Sequence, residues 1–199
     1  LVHDWGISLI PQNSLSPLIL IGLGLGRDPT SAVNPNENSS PVWVTPVGNT
    51  TAITVYVDYN GDGGPNIDPE GNGSDAERSM LRLENWLIRD PDGDQTGMVV
   101  WTLNRSVKLA GAWGQEPGEG TSDGAPALDM GTGIPPMPEY AAGKEGEVIV
   151  DADVSGNASP GDTLRYTINI LNTSKIPVPD VVLTDTLPAD TTYVANTTF

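Results

Sequence analysis

The chain has 199 residues, 9 Lys and Arg against 26 Asp and Glu, and a formal charge of −17. It holds no cysteine, one histidine (His3), 23 glycines and 18 prolines. These figures exclude thiol chemistry, disulfide frameworks and Cys- or His-rich metal centres. They also exclude a basic nucleic-acid footprint and a helical bundle, since Gly and Pro destabilise helix interiors.

In chain order, the first apolar run is Leu15 to Gly26, broken by Pro17 and three glycines. It is shorter than the ~20 residues of a membrane span. Ile21, Leu23 and Leu25 alternate there with Gly22, Gly24 and Gly26, a strand period with one bare face for a neighbour to lie against. No basic stretch followed by an apolar run opens the chain, which predicts that any signal peptide has been removed. Val42 to Val47 and Ala52 to Tyr59 are β-branched or aromatic and read as strands, the second being the strongest strand signal in the chain. Ser74 and Glu77 have capping-box spacing, and Met80, Leu83 and Leu87 have helical spacing, yet 81–89 also alternates. The expectation there is a short helical turn at 75–79 followed by a strand over 81–89.

Met98 to Leu103, Val107 to Trp113, Val148 to Val154, Thr163 to Asn172, Val181 to Thr186 and Thr191 to Val194 continue the series. Short strands at this spacing, separated by Gly, Pro and Asn turns, predict an all-β chain of two antiparallel sandwich modules, immunoglobulin- or jelly-roll-like. Residues 115–143 are rich in Gly, Pro and Ala and include Pro135, Pro136 and Pro138, which predicts a loop running into a stiff linker. The expected division is a first sandwich at 1–138, a linker at 139–146 and a partial module at 147–199. An immunoglobulin-like sandwich needs about seven strands; 145–199 offers about four, so the second module is expected to be incomplete.

Two loops carry oxygen ligands at alternate positions. In the first, Asp58, Asn60 and Asp62 are followed by Gly63, with Asn66 and Asp68 further on. Such spacing lets a loop curl around calcium, which takes six to eight oxygens. Position 12 is Pro69 instead of a carboxylate, and a strand precedes the loop, so this is no EF-hand. The alternative is a solvated acidic turn. Asp90, Asp92 and Asp94 form a second, poorer set with Gln95 where the glycine belongs. Asp123, Asp129, Asp151 and Asp153 read as surface charge.

The sequon Asn-x-Ser/Thr occurs at Asn38, Asn49, Asn72, Asn104, Asn157, Asn172 and Asn196, seven times where composition alone gives about two. The excess predicts covalently attached N-glycans and a secreted protein; a merely Ser/Thr/Asn-rich turn composition is the alternative. No Ser-His-Asp set, GxSxG, HExxH or phosphate loop is present, so no enzymatic activity is expected. The five tryptophans, Trp5, Trp43, Trp86, Trp101 and Trp113, fit a sandwich core better than a sugar platform. Lys144 is the lysine best placed in sequence for an isopeptide crosslink to an asparagine.

The C-terminal stretch carries Val148–Asp153, Ser159-Pro-Gly-Asp-Thr-Leu-Arg-Tyr-Thr-Ile-Asn-Ile-Leu-Asn-Thr173, Val181-Val-Leu-Thr-Asp-Thr-Leu-Pro188 and Thr192-Tyr-Val194. It resembles the repeat known as domain of unknown function eleven, found in tandem in bacterial and archaeal surface proteins. It departs from the repeat at Ser174-Lys175, where glycine is usual. The segments Ser40–Pro46, Val55–Asp62, Asp92–Met98, Ala112–Gln115 and Ala127–Thr132 resemble the region preceding such repeats. The resemblance implies an extracellular cell-surface component. The expected function is a structural subunit of a surface filament, sheath or stalk, with calcium as cofactor and strands exchanged between subunits or supplied by further repeats of a longer chain. An adhesin for glycans or host proteins is the alternative, and a carboxylate-based glycoside hydrolase fragment a distant third.

Overall fold

A computed structural model describes residues 9–24, 41–48, 50–114 and 131–198. Twelve strands are present among them: β1 (Leu18–Leu20), β2 (Val42–Val47), β3 (Ile53–Asp58), β4 (Asn66–Ile67), β5 (Gly73–Ser74), β6 (Ala76–Met80), β7 (Trp86–Ile88), β8 (Val99–Trp101), β9 (Lys108–Gly114), β10 (Gly131–Gly133), β11 (Tyr140–Val150) and β12 (Thr163–Asn172). No α-helix occurs among the described residues. The chain is all-β, as its alternating apolar pattern requires.

Two four-stranded antiparallel sheets, ordered β1-β8-β3-β6 and β10-β9-β2-β7, form the sandwich. Alternate residues of β2 point inward, so Val42 and Val44 meet Val55 and Val57 of β3 together with Val100, Leu109, Met80, Ile88 and Ile19 in one buried cluster. Removing apolar surface of this kind from water contributes about 25 cal/mol per Å². Ile134 is buried, Pro136 bridges Ile19, and the Met137 N–H donates to the Leu18 carbonyl, so the sandwich extends to 137.

Several expectations are corrected. Residues 75–79 are not helical: Ala76–Met80 pairs with β3, and the Ser74 hydroxyl caps nothing. The strand expected over 81–89 is reduced to Trp86–Ile88, because 81–85 is a turn in which Leu83 has φ 62°. Ile21 to Gly26 is not a strand within the described residues; β1 lies just before it. Of its glycines, Gly24 has a close neighbour, since a Cβ there would stand 2.7 Å from the Gln95 Cβ, whereas Gly22 faces open space.

The stretch expected as a linker, 139–146, is mostly strand. Tyr140 to Gly146 pairs residue by residue with Asn172 to Tyr166. Small residues such as Ala141, Ala142 and Gly143 have little strand propensity of their own, but the β-branched partner strand supplies a template. Val181–Thr186 and Thr191–Val194 join no strand. Pro177 and Pro179 have no N–H to donate, and among the described residues no third strand lies beside the β11–β12 ribbon to receive this segment.

Candidate functional site at the junction and the open ribbon

Leu18, Trp101 and Tyr56 form one cross-strand row on the outer face of the first sheet. Tyr56 and Trp101 stack at 5.6 Å between ring centroids. An outer face would normally meet water; here the 66–74 hairpin and the 173–177 turn cover it. The Trp101 indole Nε1–H donates to Asp68 Oδ2 at 2.9 Å, the Lys175 ammonium lies 5.2 Å above the Trp101 ring, and Ile176 is buried.

Asp58 and Asp68, two of the expected calcium ligands, organise this region as hydrogen-bond acceptors. Asp58 is fully buried; its Oδ1 accepts the Gly61 N–H, its Oδ2 accepts the Gly63 N–H, and Lys175 Nζ stands 3.7 Å from Oδ2. Asp68 accepts N–H groups from Glu70, Asn72 (backbone and side chain) and Trp101. Burial pushes the Asp68 carboxyl up, but these bonds outweigh it and hold it below its ordinary value. The alternate-carboxylate spacing of the sequence thus serves turn closure, the other use of such residues. Asn60 and Asp62 are exposed, and Asn66 donates through Nδ2 to the Asp75 carbonyl.

In the second loop, Asp92 Oδ1 and Asp94 Oδ1 accept the N–H groups of Asp94 and Thr96. Asp90 is buried, with Oδ1 accepting from Asp92 and Oδ2 unpartnered; burial first, then Asp92 and Asp75, push its carboxyl up to about 6. Beside it Gln95 is fully buried, its Oε1 accepting the Asp90 N–H at 2.7 Å.

The eight expected ligands are not drawn into one cluster. Among the described residues, the group of three carboxylates that does converge is Asp151, Asp153 and Asp162, with ligand atoms within 4.8 Å of one another. All six of their oxygens already accept hydrogen bonds, from Ala152, Ser155, Gly156 and Ser159. The sequence hint was present, carboxylates at 151 and 153 ahead of a Pro-Gly-Asp turn, but those residues read as surface charge.

Asn72 links the two halves of the chain. Its Nδ2 donates to Asp68 Oδ2 at 2.9 Å and to the Lys175 carbonyl at 2.7 Å. Arg105 completes the junction with a hydrogen bond to the Pro177 carbonyl and an ion pair to Glu139, which also faces Lys108 at 3.7 Å. None of this was visible in the sequence, because Asn72 and Lys175 are 103 positions apart.

Beyond the junction the β11–β12 ribbon has two unlike faces. One carries Tyr140, Ala142, Lys144, Val148, Leu164, Tyr166, Ile168 and Ile170; the other carries Glu145, Glu147, Arg165, Thr167 and Asn169. The apolar face is not buried: Tyr166 is 46% and Ile170 44% exposed. The 178–185 segment crosses it, with the Lys144 ammonium 2.7 Å from Asp185 Oδ1 and 4.4 Å above the Tyr166 ring. Lys144 is therefore held by a carboxylate and an aromatic ring. An open cleft of about 340 Å³ remains between Tyr140, Ala142 and Ile170 and the Val178–Leu183 stretch.

Of the sequons, Asn38 and Asn49 lie outside the described residues. Asn104, Asn157, Asn172 and Asn196 are exposed, and Asn72 is half-buried. No family model, no curated protein and no solved structure matches this chain. The resemblance of 148–194 to surface repeats accordingly rests on those residues alone.

Proposed function

We propose that this chain is a structural component of an extracellular surface assembly, a filament, sheath or stalk, whose second module is completed by strands from a neighbour. The observation that carries this reading is the exposed apolar face of β11–β12. An isolated two-stranded ribbon is marginal in water, and soluble monomers rarely leave a contiguous apolar face of this extent uncovered. The 178–187 segment lies over that face as the beginning of an opposing layer and joins no strand, so its edges are open to β-augmentation. The −17 charge keeps the rest of the surface soluble and directs association to the apolar face.

The adhesin alternative has less support. Trp101 and Tyr56 are buried in the junction, and Trp86 and Trp113 pack against the sandwich core, leaving those rings little face for a sugar. Calcium, as part of this reading, is assigned to the Asp151–Asp153–Asp162 cluster, where three carboxylates already converge within 4.8 Å of one another.

Electron microscopy of concentrated chain, with light scattering across a dilution series, tests the assembly. Ordered oligomers that dissociate on dilution are expected. A strict monomer at every concentration, with β11 and β12 amides exchanging as in an unfolded chain, would refute completion by a neighbouring subunit.

A further inference from the structure

The sequons differ in what the fold does with them, and the difference concerns two groups: the asparagine Nδ2 that becomes glycosylated and the hydroxyl two residues later that the transferase must engage. At Asn72 both Nδ2 hydrogens are used, one on the Asp68 carboxylate and one on the Lys175 carbonyl. Its partner Ser74 is fully buried. A Cβ on Gly64 would lie 2.2 Å from the Ser74 backbone, so the preceding loop presses directly onto this strand. A glycosylated amide keeps one N–H, and one junction bond would be lost.

Asn104 is the opposite case. It sits in the exposed turn between β8 and β9, where its Oδ1 accepts the Ser106 N–H at 3.1 Å and its own carbonyl accepts the Val107 N–H. Its Nδ2 makes no hydrogen bond among the described residues, and Ser106 is exposed. At the remaining described sequons the hydroxyl is engaged: Ser159 with Asp153, Ser174 with the Ile176 carbonyl, and Thr198 with the Tyr193 hydroxyl.

We infer that, among the described sequons, Asn104 is the carbohydrate-accepting position of the folded chain and that Asn72 is a sequon closed by the fold. This rests on the extracellular reading above. The donor is an oligosaccharide on a polyprenyl diphosphate. The Asn104 Nδ2–C1 bond forms, the C1–O bond to the diphosphate breaks, the lipid diphosphate leaves, and the amide proton passes to the transferase's base.

The test incubates purified full-length chain, folded or held in urea, with a single-subunit oligosaccharyltransferase and lipid-linked oligosaccharide, then maps glycopeptides. In the folded chain Asn104 is modified at least about tenfold faster than Asn72, because reaching Asn72 requires opening its hydrogen bonds. In unfolded chain the two react alike. Ser106→Ala abolishes transfer at Asn104 without shifting the melting temperature, which separates loss of the acceptor from loss of the fold. Equal modification of Asn72 and Asn104 in folded chain overturns the inference. So does an Asn104 that reacts only in urea. Either result leaves the assembly reading untouched, because assembly is measured without carbohydrate.

Discussion

Along Val42–Val47 every second residue is buried, whereas along Thr163–Asn172, a strand that also carries β-branched residues, none is. Both strands carry β-branched strand formers; they differ in what lies across from them. The sandwich closes two sheets on one core, while the ribbon meets a single extended segment. The contrast shows that strand propensity makes a strand but not a stable layer. The ribbon keeps its register through long pairing with β11 and through its junction, and its apolar face remains available for association.

The largest test of this contrast is Trp101→Ala. Trp101 is 1% exposed and joins the outer-face row to the hairpin and the 173–177 turn. Its truncation is expected to destabilise the sandwich by about 3–5 kcal/mol in urea titration. A loss under about 1 kcal/mol would show that the outer-face row is dispensable. Next, Asn72→Ala removes donors to Asp68 and Lys175 and is expected to cost about 1–2 kcal/mol. Limited proteolysis should then cut near 173–177 while the sandwich survives, breaking the link between the two regions.

Two buried carboxylates in the first half of the chain carry opposite pH dependences. Asp90 has a raised value in the fold, so the folded chain holds that proton more tightly than the unfolded one. Its stabilising effect is complete below the ordinary carboxylate value and is lost as pH rises through about 6. Asp68 has the opposite sign: its effect is present above its ordinary value and is lost as pH falls through its lowered one. Stability should therefore rise by about 1 kcal/mol between pH 7 and pH 5, fall again at stronger acid, and lose the first slope in Asp90→Asn. Calorimetry across this range gives the answer.

Smaller still, Tyr166→Ser with Ile170→Asn should change sandwich stability by less than about 0.5 kcal/mol, as substitutions at exposed positions do, yet abolish the oligomers that the assembly reading expects in light scattering. Unchanged oligomers would remove the ribbon from the interface. Last, calcium against chelator is expected to leave the sandwich transition unmoved, because Asp58 and Asp68 already accept backbone and indole donors. An effect, if present, belongs to the 150–162 turn and disappears in Asp153→Asn.

Legibility followed the range of the determining contact. The strands at 42–47, 53–58, 108–114 and 163–172 were readable because alternation of apolar side chains, or a run of β-branched ones, is recorded locally. Tyr140–Gly146 was not, since its small residues become strand only beside β12. The capping box at Ser74 and Glu77 misled for the same reason: pairing of Ala76–Met80 with β3 outweighs one cap. Among candidate ligands, an aspartate at alternate loop positions reads identically whether it binds a cation or closes a turn. What the sequence could not show is that the donors at Gly61, Gly63, Asn72 and Trp101 meet these carboxylates.

By itself the amino-acid order determined an all-β chain with no cysteine and a single histidine, acidic, turn-rich and marked with sequons, because those properties are sums over residues or patterns a few positions long. The tertiary structure decided which donors the loop carboxylates accept, that both Asn72 amide hydrogens are engaged while Asn104 stands in an exposed turn, and that one ribbon face is only partly covered. Each of these depends on which distant groups meet, and desolvation and hydrogen bonding act between neighbours in space, wherever they lie along the chain.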